Sequence, residues 1–300
     1  MQALPPFRLD LTAWALRRRP DNAVDLWDGR TYRRGLPLEG GTIELAAVQA
    51  GSAAAPRLTV TLTGAQVDQQ TEGAARAALV RMLGLELDLF PFYRHAEGDP
   101  LLRTLASRFR GLKPPRFPTL FECLINAIAC QQLTLTVGIR LLNRLAEAYG
   151  SEPGEGTSRA LPLPAEFADL APEALKPLGF SGAKARSIVE LAAEITAGTF
   201  NPAAIEPLDD DDALAALLRL RGVGRWTAEY ALLRGLGRLH VFPGDDVGAR
   251  NNLARWLDRR APLDYAGVQA AVRPWQPFAG LVYFHLLLAN LAEHGMLIED

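Results

Sequence analysis

Residues Leu214–Gly235 read LAALLRLRGVGRWTAEYALLRG. The apolar spacing predicts one helix ending near Arg219, a tight turn at Gly222-Val223-Gly224, and a second helix starting at Arg225. Glycines at this spacing let the backbone turn sharply and let its N–H groups approach an anion with no Cβ in the way. The positive end of the second helix then points at the same anion. A short αα-hairpin also uses glycine for packing alone, so the turn needs its context.

That context follows at once. HVFPGDDVGARNNLARWL, from His240 to Leu257, sets Asp245 and Asp246 at the start of another helix, just past a Pro-Gly turn. Taken alone, an aspartate there is a helix N-cap. Trp226 and Tyr230 are four residues apart and share a helix face. Taken alone, they are core.

Together, LRLRGVGRWTAEYALLRG and VFPGDDVGARNNL resemble the helix-hairpin-helix DNA glycosylase superfamily, and within it the AlkA-type (DNA-3-methyladenine glycosylase II) branch. FECLINAIACQQLT, from Phe121 to Thr134, matches a further segment of the family. The resemblance runs from about Leu89 to the C-terminus. It implies a mainly α, two-lobed body around a DNA cleft (89–300), joined to an N-terminal α+β domain (1–88) that contains an antiparallel sheet.

The resemblance also assigns roles. Asp246 takes the place of the catalytic aspartate, with Asp245 the alternative one residue away. A fixed anion there would stabilise the oxocarbenium-like sugar formed as an N-glycosidic bond breaks. Members that also cleave the strand carry a nucleophilic lysine where this chain has Trp226, and its three lysines, Lys113, Lys176 and Lys184, lie outside the element. A monofunctional enzyme is implied. Trp226 and Tyr230 fall on the base pocket, where an electron-rich ring attracts a cationic alkylated base. Leu287 replaces a family aromatic in AGLVYFHLLLANL, with Tyr283 and Phe284 nearby. Gln132 and Leu133 match the wedge that fills the gap left by a flipped nucleotide. Gly222, Gly224, Arg225 and Thr227 are expected at phosphates, as is Arg221, which stands where the family commonly has proline. The carbonyls of Leu218, Leu220 and Val223 would hold a monovalent cation. No C-terminal cysteine cluster is present, so no iron–sulfur cofactor is expected.

Composition agrees with this reading. The net charge is −2, yet residues 101–150 carry seven basic against two acidic residues, and residues 219–260 carry nine against four. Local basic stretches on a balanced chain suit a phosphate-binding face, and equally suit ordinary solvated helices. Three hundred residues, 49% of them apolar, suffice for two or three compact units. The first part alternates as strands in TYRRGLPLEGGTIELAAVQ and PRLTVTLTG, then turns helical with Ala75, Leu79, Met82 and Leu83 inward. SEPGEGTSRALPLPAE (151–166) reads as a surface loop, and DDDDALAALLRL as an acidic helix cap rather than a metal site. The start, MQALPPFRLDLTAW, does not read as a signal peptide. The apolar run from Phe278 to Ala292 is too short for a membrane span and reads as a buried helix. Two cysteines, Cys123 and Cys130, form no metal or disulfide framework and point to the cytoplasm.

The expected activity is hydrolytic release of alkylated bases from double-stranded DNA by a monomer, with no membrane partner. The alternatives are a non-catalytic helix-hairpin-helix damage-binding module and a bifunctional glycosylase/lyase. The residues leave open the choice among 3-methyladenine, 7-methylguanine, deaminated purines and N1/N3-alkylated bases.

Overall fold

The computed structural model describes residues 1–38, 41–64, 67–151 and 158–297. Helix α1 (Leu9–Arg17) precedes four strands: β1 (Asp25–Trp27), β2 (Thr31–Leu38), β3 (Gly41–Ala50) and β4 (Arg57–Thr63). They form one antiparallel sheet in the order β1-β2-β3-β4, with Tyr32 opposite Ala47 and Leu45 opposite Leu62. Residues 39–40, expected as a turn, lie outside the described residues. Helix α2 (Gln69–Leu83) stops at Gly84, whose φ of 59° is the left-handed conformation in which glycine carries no Cβ penalty. Ala75, Leu79, Met82 and Leu83 are buried against the sheet, as their spacing predicts.

The rest is helical: α3 (Phe90–Ala96), α4 (Pro100–Arg108), α5 (Leu120–Cys130), α6 (Leu135–Tyr149), α7 (Pro164–Ala168), α8 (Gly182–Thr196), α9 (Pro202–Ile205), α10 (Asp210–Leu218), α11 (Arg225–Arg234), α12 (Val247–Trp256), α13 (Tyr265–Val272) and α14 (Ala279–Glu293). Two cores divide them. One gathers buried side chains of α5, α6, α8, α10 and α11. The other gathers α3, α4, α12, α13 and α14. The acidic run does cap α10, the Asp209 carboxylate accepting from the Asp212 N–H at 2.9 Å. Helix α14 is mostly apolar and buries most of its side chains in its core, and among the described residues no helix is long and apolar enough to cross a membrane.

The N-terminal part is not a separate layer. Helix α1 gives Leu9, Ala13 and Leu16 to the sheet core but Leu11 and Ala15 to the core around α14. A second joint is ionic. Arg34 on β2, fully buried, donates to Asp25 at 2.6 Å and to Glu122 of α5. The Tyr32 hydroxyl donates to the same Asp25 at 2.6 Å. Burial, reinforced by Asp25, pushes the Tyr32 phenol well above its ordinary range.

Part of the segment 151–166, expected as a surface loop, is buried. Residues 152–157 lie outside the described residues, but Ser158, Ala160 and Leu161 are buried. The Ser158 backbone N–H and hydroxyl both donate to the Glu44 carboxylate of β3 at 2.8 Å. A Gly-, Pro- and Ser-rich composition marks irregular backbone. It does not reveal that the sheet offers a buried carboxylate in need of donors.

His285 is fully buried between the rings of Phe92 and Phe109, with Nδ1 2.8 Å from the Leu281 carbonyl. Burial lowers its pKa from 6.5 to about 4. The folded protein therefore binds fewer protons than the unfolded chain between these values, and stability falls as pH drops through 6.5 towards 4. Denaturant titrations should show a loss of about 2 kcal/mol from this group between pH 7 and 5. His285→Phe should flatten that part of the profile.

Candidate active site

Helices α10 and α11 meet at the predicted hairpin. Gly222 has φ of 75°, and a Cβ there would lie 2.3 Å from the Ser187 hydroxyl, so only glycine fits without displacing α8. Gly224 is the N-cap of α11 and supplies no side-chain cap, leaving the first-turn N–H groups of that helix to other acceptors. Arg221 is exposed and pairs with Glu190 of α8 at 2.7 Å. Thr227, read from sequence as a phosphate contact, is only 1% exposed, and its hydroxyl accepts from the Gln131 amide at 2.9 Å. Its side chain is therefore engaged internally, because position 227 of α11 faces α5.

The same Gln131 amide donates to the Gly222 carbonyl at 2.8 Å, and Lys184 Nζ donates to the Gln131 carbonyl at 2.7 Å. Gln131 thus fastens the end of α5 to the hairpin, and the next two residues project from that anchor. Gln132 has φ of 55°, and Leu133 is 43% exposed. A non-glycine residue in the left-handed region costs about 1 kcal/mol. Here it turns an apolar side chain outward at the rim of a cavity of about 1160 Å³.

That cavity lies between the two cores. Gln132, Leu133, Gly224, Arg225, Trp226, Thr227, Tyr230, Asp245, Asp246, Tyr283 and Leu287 all line it. Arg221 and Gly222 are outside its lining. Trp226 and Tyr230 pack at a tilt of 38° with ring centroids 5.5 Å apart, and Tyr283 packs edge-on against Phe242 and Phe284.

Asp246 answers to both meanings open in the sequence. It is the N-cap of α12, with Oδ1 accepting from the Ala249 N–H at 2.9 Å. Its other oxygen, Oδ2, accepts from the Trp226 indole at 3.3 Å and from the Tyr283 hydroxyl at 3.2 Å. Burial, with Asp246 next to it, pushes the Tyr283 phenol well above its ordinary range, so it stays a neutral donor. Asp245 is held elsewhere. Its carboxylate takes Arg225 Nε at 2.7 Å, and the Arg225 guanidinium lies 3.9 Å above the Tyr265 ring. Tyr265 donates to Glu229 at 2.6 Å, and Glu229 accepts from the Gly244 N–H at 3.1 Å. This chain of contacts braces the Pro243–Asp246 turn, so Asp245 and Asp246 point to different tasks.

Sequence reasoning missed the cavity's contributors from α1. Arg18 and Arg19 line it, although they lie in the nearly charge-neutral N-terminal third. Arg234, at the end of α11, is also in the lining, and its guanidinium donates to the Ala15 carbonyl at 2.8 Å. The run Arg17–Arg19 is visible in sequence, but nothing local to it tells which arginine is buried. None of the three lysines lines the cavity. Among the described residues, no group of three or more His, Cys, Asp or Glu sits close enough to hold a metal ion.

Comparison with known proteins matches residues 125–277 to the HhH-GPD superfamily of base excision DNA repair proteins. A DNA-3-methyladenine glycosylase of Bacillus subtilis is 30% identical over 208 residues, covering 68% of this chain and 69% of that protein. The solved structure of a 3-methyladenine DNA glycosylase from Archaeoglobus fulgidus superposes with a TM-score of 0.84 at 25% identity, covering 99% of both chains. That of a Schizosaccharomyces pombe 3-methyladenine DNA glycosylase in complex with abasic DNA gives 0.58 at 26% identity, covering 66% of this chain and 95% of that one. The family match and the B. subtilis relative together place it: the chain belongs to the HhH-GPD superfamily of base excision DNA repair proteins.

Proposed function

We propose that the protein is a monofunctional DNA glycosylase that hydrolyses the N-glycosidic bond of alkylated bases in double-stranded DNA. The observation that carries this reading is the free face of Asp246. One oxygen is used by the helix; the other is presented to an aromatic cavity between two neutral donors. A flipped base stacks against Trp226 and Tyr230, below Tyr283 and Leu287. As its bond to C1′ breaks, positive charge grows on the sugar, and Asp246 stabilises it. Asp246 then takes the proton of the water that adds to C1′. The relatives' names support an alkylated purine as the base.

Gln132 and Leu133, projecting at the cavity rim, act as the wedge that occupies the vacated stack. The amides of Gly222, Gly224 and the first turn of α11 receive phosphate oxygens, with Arg221 and Arg225 adding charge from the edges of their ion pairs. The Leu220 carbonyl accepts one N–H, from Val223 at 3.1 Å, and retains a second lone pair. With Leu218 and Val223 it would hold a monovalent cation that adds positive charge beside the phosphate. A tryptophan at position 226 and the absence of lysine from the cavity lining support hydrolysis without strand cleavage. The protein acts as a monomer, a form that leaves the cleft open to duplex DNA.

Asp246→Asn should lower release of free base from methylated duplex DNA by on the order of 10²–10³-fold or more. Its folding stability should stay within about 0.5 kcal/mol, because asparagine caps a helix as well as aspartate. Asp246→Ala should lose activity and about 1 kcal/mol of stability as well. Equal base release by intact protein and Asp246→Asn reduces Asp246 to a cap, and DNA binding without base release in both makes the protein a damage-binding module. Leu133→Ala should slow excision roughly tenfold, the effect of losing most of one buried leucine. Borohydride should trap no covalent protein–DNA adduct, and the abasic strand should stay intact until alkali is added.

A further inference from the structure

A second cavity, of about 800 Å³, runs along α1 from Leu9 to Arg17, between that helix and the β1–β2 turn. It takes no part in the chemistry at Asp246, but it adjoins that site. Arg19, in the lining of the first cavity, donates at 3.8 Å to the sulfur of Met296, in the lining of the second.

Two tryptophans line this groove, each half-buried and each held by a different core. Trp14 packs on the core around α14, and Trp27 packs on the sheet core. The Gln49 side chain fastens the start of α1 to the sheet, accepting from the Leu9 N–H at 2.7 Å and donating to the Phe7 carbonyl at 2.9 Å. Packing therefore fixes both rings. Trp226 and Trp275 donate their indole N–H groups to carboxylates. Those of Trp14 and Trp27 have no protein acceptor among the described residues.

The charges of the groove are unequal as well. Of its acidic residues, Asp10 is paired with Arg8 at 2.5 Å, and Asp28 accepts from the backbone N–H groups of Arg30 and Thr31 at 2.9 and 2.7 Å. Arg17 and Arg30 have no carboxylate at ion-pair distance among the described residues. Arg17 lies 5.1 Å from the Trp14 ring centroid and donates to the Trp27 and Pro20 carbonyls, while its buried Nε has no partner. Burial lowers its pKa in spite of Asp21, as expected of a desolvated cation without a counter-ion. Arg30 is exposed at the β1–β2 turn.

Anchored rings interleaved with uncompensated guanidinium groups suit a single strand, whose bases stack on the rings and whose phosphates meet the cations. A paired base keeps its faces inside the helical stack, so such a surface selects unpaired ones. We propose that the groove along α1 is a second DNA-binding surface, which takes an unpaired segment of the strand leaving the cleft, with bases on Trp14 and Trp27 and phosphates at Arg17 and Arg30. This rests on the reading of the first cavity as a DNA cleft, because Arg19 and Met296 join the two. The protein then holds DNA beside a gap, fork or overhang more firmly than unbroken duplex.

The test compares binding of the intact protein to a blunt undamaged duplex and to the same duplex with an oligothymidine tail, placed at each end in turn. One placement of the tail should tighten binding roughly tenfold or more, the effect of stacking one base. Arg30→Glu should lose most of that gain and lower the slope of log affinity against log salt by about 1. Trp27→Ala should lose the gain with the salt slope unchanged. A tail that adds nothing, or a gain that survives in both variants, overturns the proposal. So does an equal loss on blunt and tailed DNA, which makes the groove an ordinary duplex contact. Failure of the intact protein to bind any of these DNAs, or an Asp246→Asn that releases base as fast as intact, overturns the glycosylase reading instead. Photocrosslinking of the unaltered protein is independent of how the variants fold. A bromouracil in the tail should attach to Trp14 or Trp27, and attachment confined to other residues overturns the proposal.

Discussion

An aspartate at the first residue before a helix has two oxygens and one helical obligation. In this protein the Ala249 N–H satisfies that obligation through Oδ1, and Oδ2 is turned to a cavity lined by Trp226 and Tyr283. The remaining architecture can be read from that division. The helix fixes the carboxylate against rotation, and the two aromatic donors set its second oxygen in place. The turn that delivers it is clamped through Arg225, Tyr265 and Glu229. A carboxylate held so firmly undergoes little rearrangement when positive charge develops nearby, which is the source of preorganised electrostatic stabilisation.

The cavity depends on how two helical cores and a sheet are joined, and buried arginines take part in that joining. Arg34 ties β2 to α5 through Asp25 and Glu122, Arg234 ties α11 to α1, and Arg18 ties α1 to α5 and α11. Buried ionic groups are poor contributors to net stability, because desolvation offsets most of the attraction. Glu122 shows that cost directly, since burial lifts its carboxyl above the ordinary range in spite of the neighbouring Arg34. Their value is geometric. Each guanidinium has donors in fixed directions, so the helices meet at one register and the cavity keeps one shape.

Much of the site was legible because its signals are local. The hairpin depends on glycine at 222, where a Cβ would strike Ser187, and the helix starts at 210 and 247 follow capping rules that act within one turn. Trp226 and Tyr230 share a face because the helical repeat requires it. The misses have the opposite character. Thr227 looked available to phosphate, yet it is enclosed because Gln131, almost a hundred residues earlier, reaches across to it. The end of the 151–166 segment looked solvated, yet Ser158 is drawn inward by Glu44 on a strand more than a hundred residues away.

By itself, then, the sequence determined the elements and their local chemistry: which stretches are helix or strand, where the backbone turns through glycine, and which aspartate begins a helix beyond a Pro-Gly turn. Periodicity, capping and turn propensity operate over a few residues, and those are written in the order of the chain. The tertiary structure alone decided which face of each element is wet, that Asp245 belongs to Arg225 and Asp246 to the cavity, and that Arg18 and Arg19, just past α1, enter a pocket otherwise built from residues 130–294. Burial and pairing are properties of surfaces brought together across long stretches of chain. No spacing rule within a segment encodes the partner that removes it from water.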